Sequence, residues 1–295
     1  EHGAGQCTWY FADDLVVLPE HECHGVFAAF TDVMKDDLLS RGASIFLSLS
    51  ALRVTRLQSL AGGARNVGAL HPVAYQTAAT RARQSARDFT ARLPLAWRMS
   101  SHMDTHGGAG RAFDRFDAFS GAGPLTSGPV RARDLSALVA RLPHDGRFRM
   151  VRDERFFEWR YASPLHEYRF LYLDDDSGLA GYLVLERNVS DLANSTRVNI
   201  ADWEGRSPEI LEKLLVGALE RARPEELVCW SGTLGAARIA CLEKAGFHAI
   251  DHQQTARGLP SILVWPLQGD VPYVGGRSLL DLANWDLRMT YTSMA

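Results

Sequence analysis

Apolar and polar residues follow two rhythms along this chain, and the switches between them mark the elements. Residues Trp9 to Leu18 are mostly aromatic and aliphatic and stop at Pro19, the pattern of a buried strand ending where the ladder cannot continue. Phe27, Phe30, Met34 and Leu38 then recur at steps of three and four, with Asp32, Lys35, Asp36 and Asp37 among them. This spacing predicts an amphipathic helix opened by Gly25 and ended near Gly42. Ser44 to Leu49 reads as a strand, Leu52 to Leu60 as a helix closed by Gly62-Gly63, and Val67 to Leu70 as a short strand.

A second series follows the same rhythm. Asp134 to Leu142 and Glu154 to Tyr161 predict helices, and Tyr168 to Leu173 with Leu179 to Glu186 predict a hairpin about the Asp174-Asp-Asp-Ser-Gly178 turn. Arg197 to Trp203 is a strand, and Pro208 to Ala222 is a helix with Leu211, Leu214, Leu215 and Ala218 on one face. Leu227 to Trp230, a helix from Ala236 to Lys244 ended at Gly246, and a strand from Ile262 to Pro266 complete the series. Between the two lies a Gly-, Ala- and Ser-rich stretch that reads as a linker. The expected organisation is an α/β (α+β) chain of two mixed sheets flanked by helices. Its units are 1–100, a linker 101–127, 128–268, and a tail 269–295 that packs back.

Composition narrows the function. Of 295 residues, 46% are apolar and 23% charged, enough for a full core and too apolar for disorder. The net charge of −3 favours a small-molecule partner over nucleic acid or an anionic membrane. No apolar run approaches the roughly 18 residues of a membrane span. Cys7, Cys23, Cys229 and Cys241 form no CxxC pair, and the first residues show no secretory signal, so a reducing, cytoplasmic setting is expected. His21, Glu22, Cys23 and His24 could ligate a metal but lack the helical HExxH spacing, and they are read as loop residues with no metal.

Three patches resemble the GNAT acyltransferase superfamily. Val17-Leu-Pro19 followed by Glu22-Cys-His-Gly25-Val-Phe27 is similar to its strand, proline and glycine-containing loop; Leu242-Glu-Lys-Ala-Gly246-Phe247 is similar to its closing helix; and Phe157-x-Trp159-Arg160-Tyr161 with Gly181-Tyr182 resembles double-domain members linked to polysaccharide biosynthesis. The resemblance implies a tandem fold with a first copy incomplete at its N-terminus, in which two parallel strands splay apart around acetyl-CoA as co-substrate. It places the cofactor on Leu15, Val16, Val17, Glu22, Cys23, His24, Gly25, Val26 and Phe27. It implies transfer of an acyl group to a small amine, such as an amino sugar of a surface polysaccharide, or else a catalytically silent scaffold of the same fold.

The residues both support and resist this. A diphosphate sits well on a helix N-terminus, and Gly25 lets the backbone approach, but Glu22 would repel it. The acid expected of the family, a Tyr, is replaced by Leu242. For the base, Asp202 and Glu204 alternate with Trp203 along a strand, so both carboxylates share one face and are expected to raise one another's pKa towards neutrality. Asp13 and Asp14 are the reserve candidates.

Overall fold

The apolar runs that close each half of the sequence do not fold back onto their own half. The computed structural model describes residues 9–12, 19–21, 24–50, 53–82, 108–119, 123–188, 197–250, 259–267 and 273–291. Its first sheet holds β1 (Trp9–Ala12), β2 (Ile45–Ser50) and β3 (Arg65–Ala69), with β11 (Ser261–Pro266) inserted between β2 and β3. The second holds β5 (Leu125–Gly128), β6 (His166–Asp175), β7 (Gly178–Asn188), β8 (Arg197–Gly205), β9 (Glu226–Trp230) and β10 (His248–Ala249). There β4 (Pro72–Gln76) is inserted between β9 and β10.

The insertion is reciprocal. β1 runs parallel to β2 as β8 does to β9; β11 is antiparallel to β2 and β3 as β4 is to β9 and β10. Helix lengths match too. α1 (Val26–Ser40) follows β1 and α6 (Pro208–Ala222) follows β8, with 15 residues each; α2 (Arg53–Ala61) follows β2 and α7 (Ala236–Lys244) follows β9, with nine each.

Within the stretch read as linker, the structure instead has a helix, α3 (Gly108–Ala118), and the edge strand β5, paired to β6. Ala112, Phe113 and Phe116 of α3 are buried against the second sheet. Their three- and four-residue steps are masked in the sequence by flanking glycines and alanines. The Arg169 and Arg187 guanidiniums also lie 4.9 and 5.1 Å from the Phe113 ring centre.

Helices cover both faces of the second sheet, which is why β7 reads as a continuous apolar run from Leu179 to Leu185. Leu183, Leu185, Val198, Ile200 and Trp203 pack under Leu211, Leu214 and Leu215 of α6. On the opposite face Tyr182, Val184 and Ala201 meet Leu135 and Leu138 of α4 (Ala132–Arg141) and Phe157 of α5 (Glu154–Arg160). A third core joins the sheets: Ile45, Leu47 and Leu49 of β2 pack with Leu279, Trp285, Leu287, Met289 and Tyr291 of the tail. Each such buried side chain contributes roughly 1.5–3 kcal/mol. The tail is a partition between the two sheets.

Candidate functional site

The register of β8 explains where its carboxylates go. Pairing with β7 passes from Val184 opposite Asp202 to Leu185 opposite Ile200, which leaves Ala201 as a bulge. Beyond the bulge Asp202 and Glu204 share the face that carries Tyr182, while Trp203 packs into the core under α6. The shared face agrees with the alternation in the sequence.

Arginines dominate the surroundings of both carboxylates. The Arg152 guanidinium donates to both Asp202 oxygens at 2.9 and 3.0 Å and to Glu204 Oε1 at 2.5 Å. The Tyr182 hydroxyl and the Trp203 backbone N–H also donate to Asp202, at 2.7 and 2.9 Å. Arg288 reaches Glu204 Oε1 at 3.2 Å, and Arg238 of α7 binds Oε2. Burial alone would raise the Glu204 pKa, but Arg288, Arg152 and Arg238 outweigh it and hold the carboxyl at about 2. The expected shift towards neutrality is therefore corrected for Glu204: it is a fixed negative charge that organises three arginines. Asp286, beside Arg288, is likewise held well below the usual carboxylate range. A lowered pKa makes the Glu204 carboxylate a weaker base than a free one.

Arg152, Arg238, Arg288 and Asp286 are absent from any sequence pattern. They arrive from a loop, a helix and the tail, and only burial distinguishes them from surface arginines.

β8 and β9 pair only through Arg197–Asn199 and Glu226–Val228, although β8 continues to Gly205. The gap beyond is occupied by the tail. Arg288 donates to Trp203 O at 3.3 Å, and Thr233 Oγ1 exchanges hydrogen bonds with Leu287 O and N at 2.9 and 3.1 Å. The adjoining α6 N-terminus is closed as well: Ser207 Oγ accepts from the Ile210 N–H at 3.4 Å and Pro208 occupies the first turn.

Of the residues expected to hold the cofactor, Leu15, Val16, Val17, Glu22 and Cys23 lie outside the described residues, as do Asp13 and Asp14. His24 and Gly25 form a turn into α1, with Val26 and Phe27 in its first turn. Gly25 is the N-cap at φ +77°, no side chain caps the helix, and a Cβ on Gly25 would have nothing within 4 Å. Among the described residues no side chain caps the first N–H groups of α1. Leu242, where the family has its Tyr, is buried in the core. Among the described residues no group of three His, Cys, Asp or Glu side chains is placed to hold a metal, and no helix is long and apolar enough to cross a membrane.

No protein-family model and no curated protein sequence matches the chain. Solved structures do. The Saccharomyces cerevisiae N-myristoyltransferase with bound myristoyl-CoA aligns at a TM-score of 0.53 and 10% identity, over 87% of this chain and 59% of that one. A GCN5-related N-acetyltransferase from Anabaena variabilis ATCC 29413 aligns at 0.46 and 13% identity, over 85% and 53%. A tandem GNAT protein from the clavulanic acid biosynthesis pathway aligns at 0.48 and 12%, over 88% and 75%. The chain spans about half the length of the Anabaena protein. The chain is mixed α/β with a large mixed sheet flanked by helices, and it shares its fold with the N-myristoyltransferase.

Proposed function

We propose that this chain is an acyl-CoA-dependent N-acyltransferase that uses acetyl-CoA and acts on a small amine, such as an amino sugar of a surface polysaccharide. The cofactor lies on the first half, with its diphosphate on the N–H groups of α1 near Gly25 and its pantetheine along Leu15 to Val17. One contrast carries this choice of half. Among the described residues the α1 N-terminus has no side-chain cap, whereas α6 is capped by Ser207 and the gap beside β8 holds Arg288 and Leu287. The first half is read as a tandem copy of the second, with β1, α1, β2 and α2 in the places of β8, α6, β9 and α7.

Calorimetric titration of CoA tests the site. Gly25→Asn keeps a residue that tolerates positive φ and should bind as the parent does; Gly25→Asp adds a negative charge beside the diphosphate and should lose binding; Glu22→Arg should tighten it. Equal affinities in all four proteins would remove the site from α1.

The second reading is a catalytically silent scaffold, favoured by the enclosure of Asp202 and Glu204 by arginines. If either carboxylate is the base, Asp202→Asn or Glu204→Gln lowers turnover about 100-fold per folded molecule. If both are structural, the same variants lose stability and leave turnover per folded molecule, if there is any, unchanged.

A further inference from the structure

Residues Leu70 and His71 connect β3 in the first sheet to β4 in the second, and here the backbone is most at odds with its own sequence. His71 has φ +42° although it is not glycine. It also precedes Pro72, whose ring drives the residue before it towards extended conformations. Both local preferences favour a straight chain, in which β3 and β4 would run on as one strand.

Tertiary contacts hold the bend. The Ser231 N–H and hydroxyl donate to His71 O at 3.0 and 2.6 Å, and the Gly232 N–H donates to Leu70 O at 2.8 Å. The Leu70 N–H donates to Pro260 O at 2.8 Å. Gly232 is required for this approach, because a Cβ there would stand 2.6 Å from Ala69 O and 2.9 Å from the Leu70 carbonyl carbon. On either side of the joint lie two parts that hold each other by strand insertion: β11 sits between β2 and β3, six residues in register with β2 from Ser261–Ser50 to Pro266–Ile45. Nothing in that insertion requires β11 to belong to the same molecule.

We propose that the Leu70–His71 joint is a hinge for exchange between two copies of this chain. Straightened in both, the residues up to Leu70 leave their own β11 and clasp the β11 of the second copy. The exchanged dimer keeps the pairing of β11 with β2 and β3 and lets His71 take the extended backbone that Pro72 favours. It forms when chains fold together at high concentration, since at low concentration the intramolecular partner is always nearer.

The test is refolding from urea at about 1 and about 100 µM protein, followed by size-exclusion chromatography with light scattering. The dimer fraction should rise with refolding concentration. Copies carrying two different fluorophores should form mixed dimers when refolded together and not when mixed native. His71→Gly, which accepts positive φ, and Pro72→Ala, which lifts the restriction on residue 71, should each cut the dimer fraction about threefold, and His71→Val should raise it. Monomer at both concentrations in the parent and in His71→Val overturns the proposal. So does a dimer whose fraction is the same in all three variants, because its contact then lies elsewhere.

Discussion

α1 and α6 hold the same position in their two sheets and have the same length, yet one is sealed and the other is not. α6 starts at a Ser cap and a Pro, and its Leu211, Leu214 and Leu215 are buried against β6 and β7. Gly181 of β7 passes so close that a Cβ would stand 2.5 Å from Ile210. α1 starts at an uncapped Gly, leaves Phe30 47% and Val33 68% exposed, and buries only Thr31 and Leu38. One architecture thus yields a helix that is capped and buried and a helix that, among the described residues, has no side-chain cap and an exposed outer face. The Ser207 cap takes one N–H and Pro208 carries none, so α6 offers fewer free N–H groups to a phosphate than α1.

The largest effect should come from the arginine network, which has no counterpart among the described residues of the first sheet. Arg152→Met leaves Asp202 and Glu204 buried without their shared partner and should cost about 3–5 kcal/mol in urea unfolding. A loss below about 1 kcal/mol, the range of a surface ion pair, would mean that the network is not closed as described.

Next, Leu214→Ala on α6 should cost about 2–5 kcal/mol, against less than about 0.5 kcal/mol for Val33→Ala on α1. Similar costs at the two positions would break the comparison and show that the α1 face is covered in solution.

Acid should act on the second half. The Glu204 carboxyl is held at about 2 in the folded protein against an ordinary 4.5, so the folded state binds the proton more weakly than the unfolded one. The resulting stability, of order 3 kcal/mol, is present above about pH 4.5 and is lost as pH falls towards 2. Glu204→Gln should flatten that part of the stability profile; an unchanged acid slope in this variant would assign it to other carboxylates.

The smallest effect tests the caps. Ser207→Ala should lower stability by about 1 kcal/mol and leave CoA affinity untouched. A fall in CoA affinity would move the cofactor to α6.

The sequence carried the elements whose signal is local. The 3.6-residue spacing of Leu211, Leu214, Leu215 and Ala218 gave α6, with Ser207 and Pro208 marking its start, and the Asp-rich turn between alternating runs gave the β6–β7 hairpin. There Asp174 and Asp175 pair with Arg131 and Arg206. β4 and β10 were not legible. β4 begins with Pro and is held as a strand by five residues of pairing to β9, and β10 has two residues and lies against β4.

The amino-acid order by itself determined the helices α1, α2, α4, α5, α6 and α7 but not α3, the apolar faces of α1 and α6, and that Asp202 and Glu204 share a side of one strand. These follow from periodicity, which is a property of neighbours along the chain. Tertiary structure alone decided that β4 and β11 change places, that the tail fills the gap beside β8, and that Arg152, Arg238 and Arg288 converge on Glu204. The charge state of a buried carboxylate depends on which groups surround it in space, and those three arginines lie 52, 34 and 84 residues away along the chain. No local pattern specifies contacts at such separations; they are fixed only when the sheets close over them.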